Sequence, residues 1–281
     1  MDLDMNALVG QAREGNREAL EQLVVKIQDR VYGLAMRMLS HPADAEDATQ
    51  EILIKIVTHL GDFRGESSFT SWVYRITSNH LLTTRKRRAE RREVTFESCE
   101  RHIDDALAAS STHTLPEAEQ GLIVEELMLS CMHTILLCLD RDLRIAYILS
   151  EILDISSEQG ANILDISPMA FRKRVSRGRR LVRNFMQKNC GFVRLGNRCR
   201  CAHLVPYSVQ TGWIMPERLL FSAHPRAHRQ VGVPEGILEH MDEEDRIKAL
   251  FRSHPDYIAP KVLLENFRRI VQSVRLAIQG E

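Results

Sequence analysis

Apolar residues recur at three- and four-residue intervals over most of this chain, the period of helices that bury one face. From Arg17 to Met38 the set is Leu20, Leu23, Val24, Ile27, Val31, Leu34, Ala35 and Met38. His41-Pro42 breaks that run, and a second helix follows with Ala45, Ala48, Ile52, Leu53, Ile56, Val57 and Leu60. Gly61 to Glu66 reads as a turn. A third helix carries Phe69, Trp72, Val73 and Ile76 on or near its core face.

The pattern lapses over residues 93–119, where Ser, Thr, Ala and acidic residues dominate and Pro116 intervenes. This stretch reads as a flexible, mildly acidic linker. Helical spacing returns with Leu122, Val124, Leu127, Met128, Cys131, Ile135, Cys138 and Leu139. Cys131 and Cys138 lie two turns apart, roughly 10 Å along the axis, too far for one ion, so both read as core. Asp140-Arg141-Asp142 starts a helix through Ile145, Tyr147, Ile148 and Ile152.

Next, Ser156 or Ser157 caps a short helix from Glu158 to Leu164, Asp165-Ile166-Ser167 turns, and Pro168 opens another helix. That helix has Phe171, Val175, Leu181, Val182 and Phe185 as its apolar set, with seven Arg and Lys residues between Arg172 and Arg183. A short helix, a tight turn and a basic second helix form the layout of a DNA-reading helix-turn-helix. On this stretch alone a helical hairpin with a solvated basic face is the alternative.

Composition narrows the picture. A length of 281 residues allows two or three domains, and 6% aromatics points to cores of Leu, Ile and Val. Formal net charge is zero, so local clusters matter more than any global field. One is the run from Arg85 to Arg92; the other is the helix after Pro168. The N-terminal stretch is acidic and lacks the apolar core of a secretory signal, and no long apolar run suits a membrane span. The expectation is a cytoplasmic protein, with no membrane partner, whose six cysteines are reduced thiols or metal ligands. No phosphate-cradling glycine loop, metalloprotease motif or nucleophile elbow is present, so no enzymatic activity is expected.

The third helix adds polar and aromatic side chains to a strongly basic end, a mixture suited to single-stranded nucleic acid. Trp72 reads either as core or as a base platform, with core favoured. Tyr74, Asn79 and His80 are placed to face solvent.

The run from Asp44 to Glu51 followed by Phe63 to Asn79, DAEDATQE and then FRGESSFTSWVYRITSN, resembles the second conserved region of sigma-70 family factors, most closely the extracytoplasmic-function group. The helix-turn-helix resembles the fourth region of that family. The implied fold is all-α: a region-two-like domain at residues 1–92, a linker at 93–119, a region-four-like helix-turn-helix domain at 120–188, and a mostly helical extension at 189–281. The resemblance implies a factor that binds core RNA polymerase and promoter DNA, with an anti-sigma protein as a further partner. Asp44, Asp47, Gln50 and Glu51 would bind the polymerase clamp, although acidic residues in a first helical turn also serve as plain capping. Arg64, Ser67, Phe69, Trp72, Tyr74, Arg75, Asn79, Arg85 and Lys86 would read and melt the minus-ten element, where flipping a base costs a few kcal/mol. Ser167, Met169, Arg172, Lys173, Ser176, Arg177 and Arg179 would read the minus-thirty-five element. Met169-Ala170, Lys173 and Gly178 depart from the family string, so base preference does not carry over.

The extension opens with Cys190, Cys199, Cys201 and His203, a complete tetrahedral donor set for zinc, although the spacing is not that of a standard finger. A metal site, a redox switch and unliganded cysteines in a packed turn all remain open. No cofactor is required for the promoter reading, and zinc is the one candidate. The alternative function is a metal- or redox-sensing helix-turn-helix regulator that works without polymerase. Further on, His224 and His228 read as surface histidines. The last helix carries Val262, Leu263, Phe267, Ile270, Val271, Val274 and Leu276, a stripe that must pack on something.

Overall fold

The computed structural model describes residues 2–84, 94–109, 117–224, 240–253 and 255–278 of the chain. Among them the architecture is all-α, and an isolated backbone bridge between Cys190 and Cys199 is the nearest approach to a strand.

Helices α1 (Asp2–Arg13), α2 (Arg17–Leu39), α3 (Pro42–Thr58) and α4 (Phe69–Thr83) form the first bundle. The Asn16 side chain caps α2 by accepting the Ala19 amide at 3.0 Å. At its other end Ser40 turns left-handed, with φ 53°, and Pro42 starts α3 where its missing N–H costs nothing. Every residue of α2 from Val31 to Leu39 is buried, Arg37 included. The reason is position: α2 is the axis of the molecule, packed against α1, α3, α4 and three helices from farther along the chain.

The stretch from 93 to 119 is not structureless. Helix α5 (Phe96–Ala108) occupies its centre, started by a reciprocal capping box between Thr95 and Ser98. Cys99, Ile103 and Ala106 are its buried face, which rests on the later helices Pro168–Asn189 and Cys201–Gln210. The acidic residues Glu97, Asp104 and Asp105, which suggested a linker, are on its exposed side.

Helix α6 (Glu117–Leu137) and helix α7 (Arg141–Tyr147, continued by a single wider turn over Ile148–Ile152) lead into the helix-turn-helix. There α8 (Ser157–Leu164) begins at a Ser156 capping box and ends at left-handed Asp165. Ser167 then caps α9 (Pro168–Asn189), with Pro168 as its first residue. A Cβ on Gly160 would lie 2.2 Å from the Phe171 ring, so only glycine lets α9 seat this fully buried phenyl group on α8.

The extension folds back over both halves. Helix α10 (Cys201–Gln210) packs on α6 and α5; α11 (Glu243–Arg252) packs on α9 and the turn after α7. The last amphipathic helix, α12 (Lys261–Ile278), lies on α3 and α2. His224 is half-buried and stacked on Tyr32 with centroids 5.4 Å apart, not a surface histidine as its Pro-rich context suggested; His228 lies outside the described residues. No helix among the described residues is long and apolar enough to cross a membrane.

Candidate nucleic-acid and polymerase interfaces

Helix α9 divides its side chains by helical period. Phe171, Val175, Gly178 and Val182 are buried, which turns Met169, Arg172, Lys173, Ser176 and Arg177 outward together. Met169 is 60% exposed, an unusual display for an apolar side chain. The Ser167 hydroxyl accepts the Ala170 amide at 3.1 Å, so this residue is a cap. Arg174 and Arg179 flank the buried stripe and reach acidic side chains, Arg174 half-buried and Arg179 exposed. Arg174 pairs with Asp142 at 3.1 Å, and Arg179 sits 2.5 Å from the buried carboxylate of Glu151. Arg179, although exposed, thus holds an ion pair with a carboxylate inside the domain.

In the segment before α4, Phe63, Phe69 and Trp72 pack on one another at 5.3–5.6 Å and are buried. Phe69 and Trp72 are thus core residues that shape the segment, and no base can stack on them in this conformation. His80, expected at the surface, is buried with Nδ1 3.0 Å from Lys55 Nζ and Nε2 3.4 Å from Glu51. Arg64, Arg75 and Asn79 are exposed, and Ser67 and Tyr74 are half-buried. Arg85 and Lys86 lie outside the described residues.

On α3, Asp47, Gln50 and Glu51 share an outward face at i, i+3, i+4 spacing. Asp44 is only 3% exposed. It acts in the first turn, at the positive end of the helix, and not as a contact for another protein.

The two candidate DNA-reading segments face each other. Helix α4 packs against α8, and an open cleft of about 620 Å³ separates Arg64, Ser67 and Arg75 on one wall from Gln159, Asn162 and Asp165 on the other. Sequence reasoning had no signal for this.

Comparison with known proteins gives the site its context. Residues 23–92 match the model described as Sigma-70 region 2, and residues 129–182 match that described as Sigma-70, region 4. RNA polymerase sigma-H factor of Pseudomonas aeruginosa is 31% identical over 183 residues, covering 64% of this chain and 92% of that protein. The ECF RNA polymerase sigma-E factor of Haemophilus influenzae is 32% identical, covering 64% of this chain and 94% of that one. The chain belongs to the sigma-70 family, in its extracytoplasmic-function group. Among solved structures, a sigma factor RpoE in complex with the anti-sigma factor NepR, from Bartonella quintana, superposes with a TM-score of 0.39 at 20% identity. It covers 59% of this chain and 95% of that one.

In this sigma factor the two matched regions end before the extension, which has its own chemistry. Cys190, Cys199 and Cys201 line an apolar cavity with Cys99 and Cys131, whereas His203 is exposed and faces a separate depression beside Asn197 and Arg198. The expected Cys-Cys-Cys-His set is therefore not brought together. Among the described residues no group of three or more His, Cys, Asp or Glu side chains is placed to hold a metal ion. Burial pushes the Cys199 thiol up to about 12 and raises Cys190 and Cys201 as well. Cys138, read as plain core, has its sulfur 3.7 Å from that of Cys99.

Proposed function

We propose that this chain directs promoter-specific transcription initiation as a non-catalytic, cytoplasmic subunit of RNA polymerase. The α3 face of Asp47, Gln50 and Glu51 meets the core enzyme. Arg64, Ser67, Arg75 and Asn79 engage the minus-ten strand, and Met169, Arg172, Lys173, Ser176 and Arg177 read the minus-thirty-five duplex. The described conformation is a closed form, held by the extension.

One observation carries the second half of this reading: α4 and α8 are in contact. Twenty-five base pairs separate the centres of the two promoter elements, which is roughly 85 Å of B-form duplex at about 3.4 Å per step. Two helices that touch cannot sit on sites that far apart. The regions must separate on the polymerase, and whatever ties them together opposes initiation. The extension supplies such ties: Arg37 of α2 donates to Pro255 O at 3.1 Å, and Glu126 of α6 accepts the backbone amides of Leu220, Phe221 and Ser222 at 2.7–2.9 Å. A separate anti-sigma protein would add to this restraint.

Run-off transcription with core polymerase tests both halves. The full chain gives a promoter-dependent transcript, and loosening the extension raises its yield. Failure of both the native chain and a loosened variant to bind core would end the promoter reading; equal yields from the two would end the clamp reading alone.

A further inference from the structure

Cys99 of α5 and Cys138, in the turn between α6 and α7, bring their sulfurs to 3.7 Å. From that contact and the cavity beside it, we propose an oxidative modification site: a peroxide converts this thiol pair to a disulfide that fastens α5 to the region-four domain. The site stands on this geometry alone, whereas its effect on transcription rests on the promoter function proposed above.

Both backbones are held in place by groups other than sulfur. Next to Cys99, the Glu100 carboxylate accepts Lys188 Nζ at 2.7 Å and Asn189 Nδ2 at 3.3 Å, and the Phe96 ring packs on Phe185 at 5.4 Å. Around Cys138, the Arg144 guanidinium donates to Leu137 O at 3.3 Å and Leu139 O at 3.0 Å, and the Cys138 amide donates to Thr134 O at 3.1 Å. A disulfide is about 2.05 Å long, so the sulfurs need to close by about 1.7 Å, which rotation about the Cα–Cβ bonds can supply.

The two thiols differ in a way that assigns their roles. The S–H of Cys138, donated to the Cys99 sulfur, lowers the Cys99 thiol, and the Ser98 hydroxyl adds to this against burial and the nearby Glu100 and Glu97. Every other cysteine of the chain is shifted up. Cys99 is therefore the nucleophile and Cys138 the resolving thiol. Cys99 also lines an apolar cavity of about 70 Å³, room enough for a peroxide molecule. His102, one turn along α5, lines the same cavity, and its Nε2 is buried with no hydrogen-bond partner among the described residues. Burial lowers the pKa of His102, so a neutral imidazole is on hand to hydrogen-bond the peroxide.

The chemistry has two steps. Cys99 loses its proton to solvent and its thiolate attacks one peroxide oxygen; the O–O bond breaks, and the departing hydroxide is protonated to water. The Cys138 sulfur then attacks the sulfenic sulfur of Cys99; the S–O bond breaks, and the second hydroxide leaves as water with the Cys138 proton. The thiol pair gives up two electrons and the peroxide takes them. The product changes how far the two regions can part. From Thr84 to Glu117 the chain reaches about 110 Å when fully extended, but from Thr84 to Cys99 only about 50 Å. The promoter elements lie roughly 85 Å apart along the duplex. Reduced, α5 can leave the region-four domain and the tether is long enough; oxidised, it is held there and the tether falls short.

The test treats the full reduced chain with hydrogen peroxide and maps its peptides by mass spectrometry, which needs no variant to fold. A cross-linked peptide pair containing Cys99 and Cys138 is expected ahead of any other disulfide. Cys138→Ser should stop at a Cys99 sulfenic acid that dimedone traps, and Cys131→Ser should oxidise as the native chain does. His102→Gln should slow the reaction with peroxide several-fold and leave alkylation by iodoacetamide unchanged. In run-off transcription, peroxide should lower the yield of the native chain several-fold, reversibly with a thiol reductant, and spare Cys138→Ser. A chain that cross-links another pair first, or leaves Cys99 and Cys138 reduced, overturns the site. A Cys99–Cys138 cross-link with unchanged yield overturns its control of the tether. Failure of the reduced chain to bind core polymerase would count against the promoter function instead, with the mapped disulfide still standing.

Discussion

His133 Nε2 and the Tyr257 hydroxyl stand 2.8 Å apart in the buried centre of the protein, 124 positions apart in sequence. His133 belongs to α6 and Tyr257 to the extension; the second ring nitrogen, Nδ1, is 3.2 Å from Ser40 Oγ at the end of α2. Phe221 stacks on the imidazole at 4.2 Å, and the Arg37 guanidinium lies 5.9 Å from the Tyr257 ring. One imidazole thus ties the region-two bundle, the region-four domain and the extension.

Tyr257→Phe removes the hydroxyl and keeps the ring. Loss of one partner from a buried polar pair costs about 1–3 kcal/mol, and here that cost falls on the closed form. Run-off yield should rise several-fold with no loss of core affinity, and hydrogen exchange in 255–259 should speed up. An unchanged yield with unchanged exchange would show that this bond does not hold the closed form.

The same site sets a pH response. Burial, with Arg37 as the second cause, pushes His133 down to about 3 from its ordinary 6.5. A base depressed on folding contributes stability that is present above its unfolded pKa and lost as pH falls. The window is below 6.5: by pH 5 the open form is favoured by about 2 kcal/mol relative to neutrality. His224, also depressed by burial, acts in the same direction; burial lowers the pKa of Arg37 too, with Tyr257 and the exposed Asp256 opposing it. Thermal melts should drop between pH 6.5 and 5 in the native chain and flatten in His133→Gln. Parallel pH slopes for the two proteins would remove His133 as the cause.

Gly160→Ala inserts a methyl group into the space of the Phe171 ring. The neighbour is a fully buried phenyl group with nowhere to swing, so the overpacking cost is about 1–3 kcal/mol or more. Differential scanning calorimetry should show the loss, and Phe171→Leu in the same chain should recover part of it. Additive losses in the double variant would mean that the two residues do not share that space.

Much of this was legible beforehand because helical period and capping chemistry are local. Ser156 and Pro168 mark helix starts in the sequence and in the structure alike, and the break read at His41-Pro42 is where α3 begins. Helix α5 was also legible in principle: Phe96, Cys99, Ile103 and Ala106 keep helical spacing behind a Thr95 cap. Their small and acidic neighbours masked the stripe. The ion pair of exposed Arg179 with Glu151 was not legible, because helical counting from Phe171 and Val175 puts Arg179 on nearly the same flank as Arg172. Closure of the molecule could not be read. Arg37, Glu126 and His133 are buried polar residues in amphipathic helices, indistinguishable by period from their exposed polar neighbours, and their partners lie about a hundred positions or more away. The exclusion of His203 from the thiol cavity is likewise tertiary, because it depends on α10 presenting Cys201 to α6 and turning the next face outward.

The two arginines Arg177 and Arg179 make the sharpest contrast on α9, because they have the same charge and sit two positions apart. Arg177 is exposed on the reading face, so Arg177→Ala should weaken binding to minus-thirty-five duplex by about 1–3 kcal/mol if it reads a base, or lower the salt slope by about one if it holds a phosphate. Its melting temperature should not move. Arg179→Ala strips the cationic partner from Glu151, whose side chain is 4% exposed, and leaves the carboxylate only the Ser150 hydroxyl at 2.9 Å among its described contacts. Because Arg179 itself is about half exposed, water can reach part of the vacated space, and the loss should be about 1–3 kcal/mol, below that of a fully buried pair. The signature is a lower melting temperature, recovered by Glu151→Gln, with duplex affinity unchanged once folding is allowed for. If Arg179→Ala instead lowered duplex affinity without touching stability, the ion pair would be incidental and Arg179 would belong on the reading face.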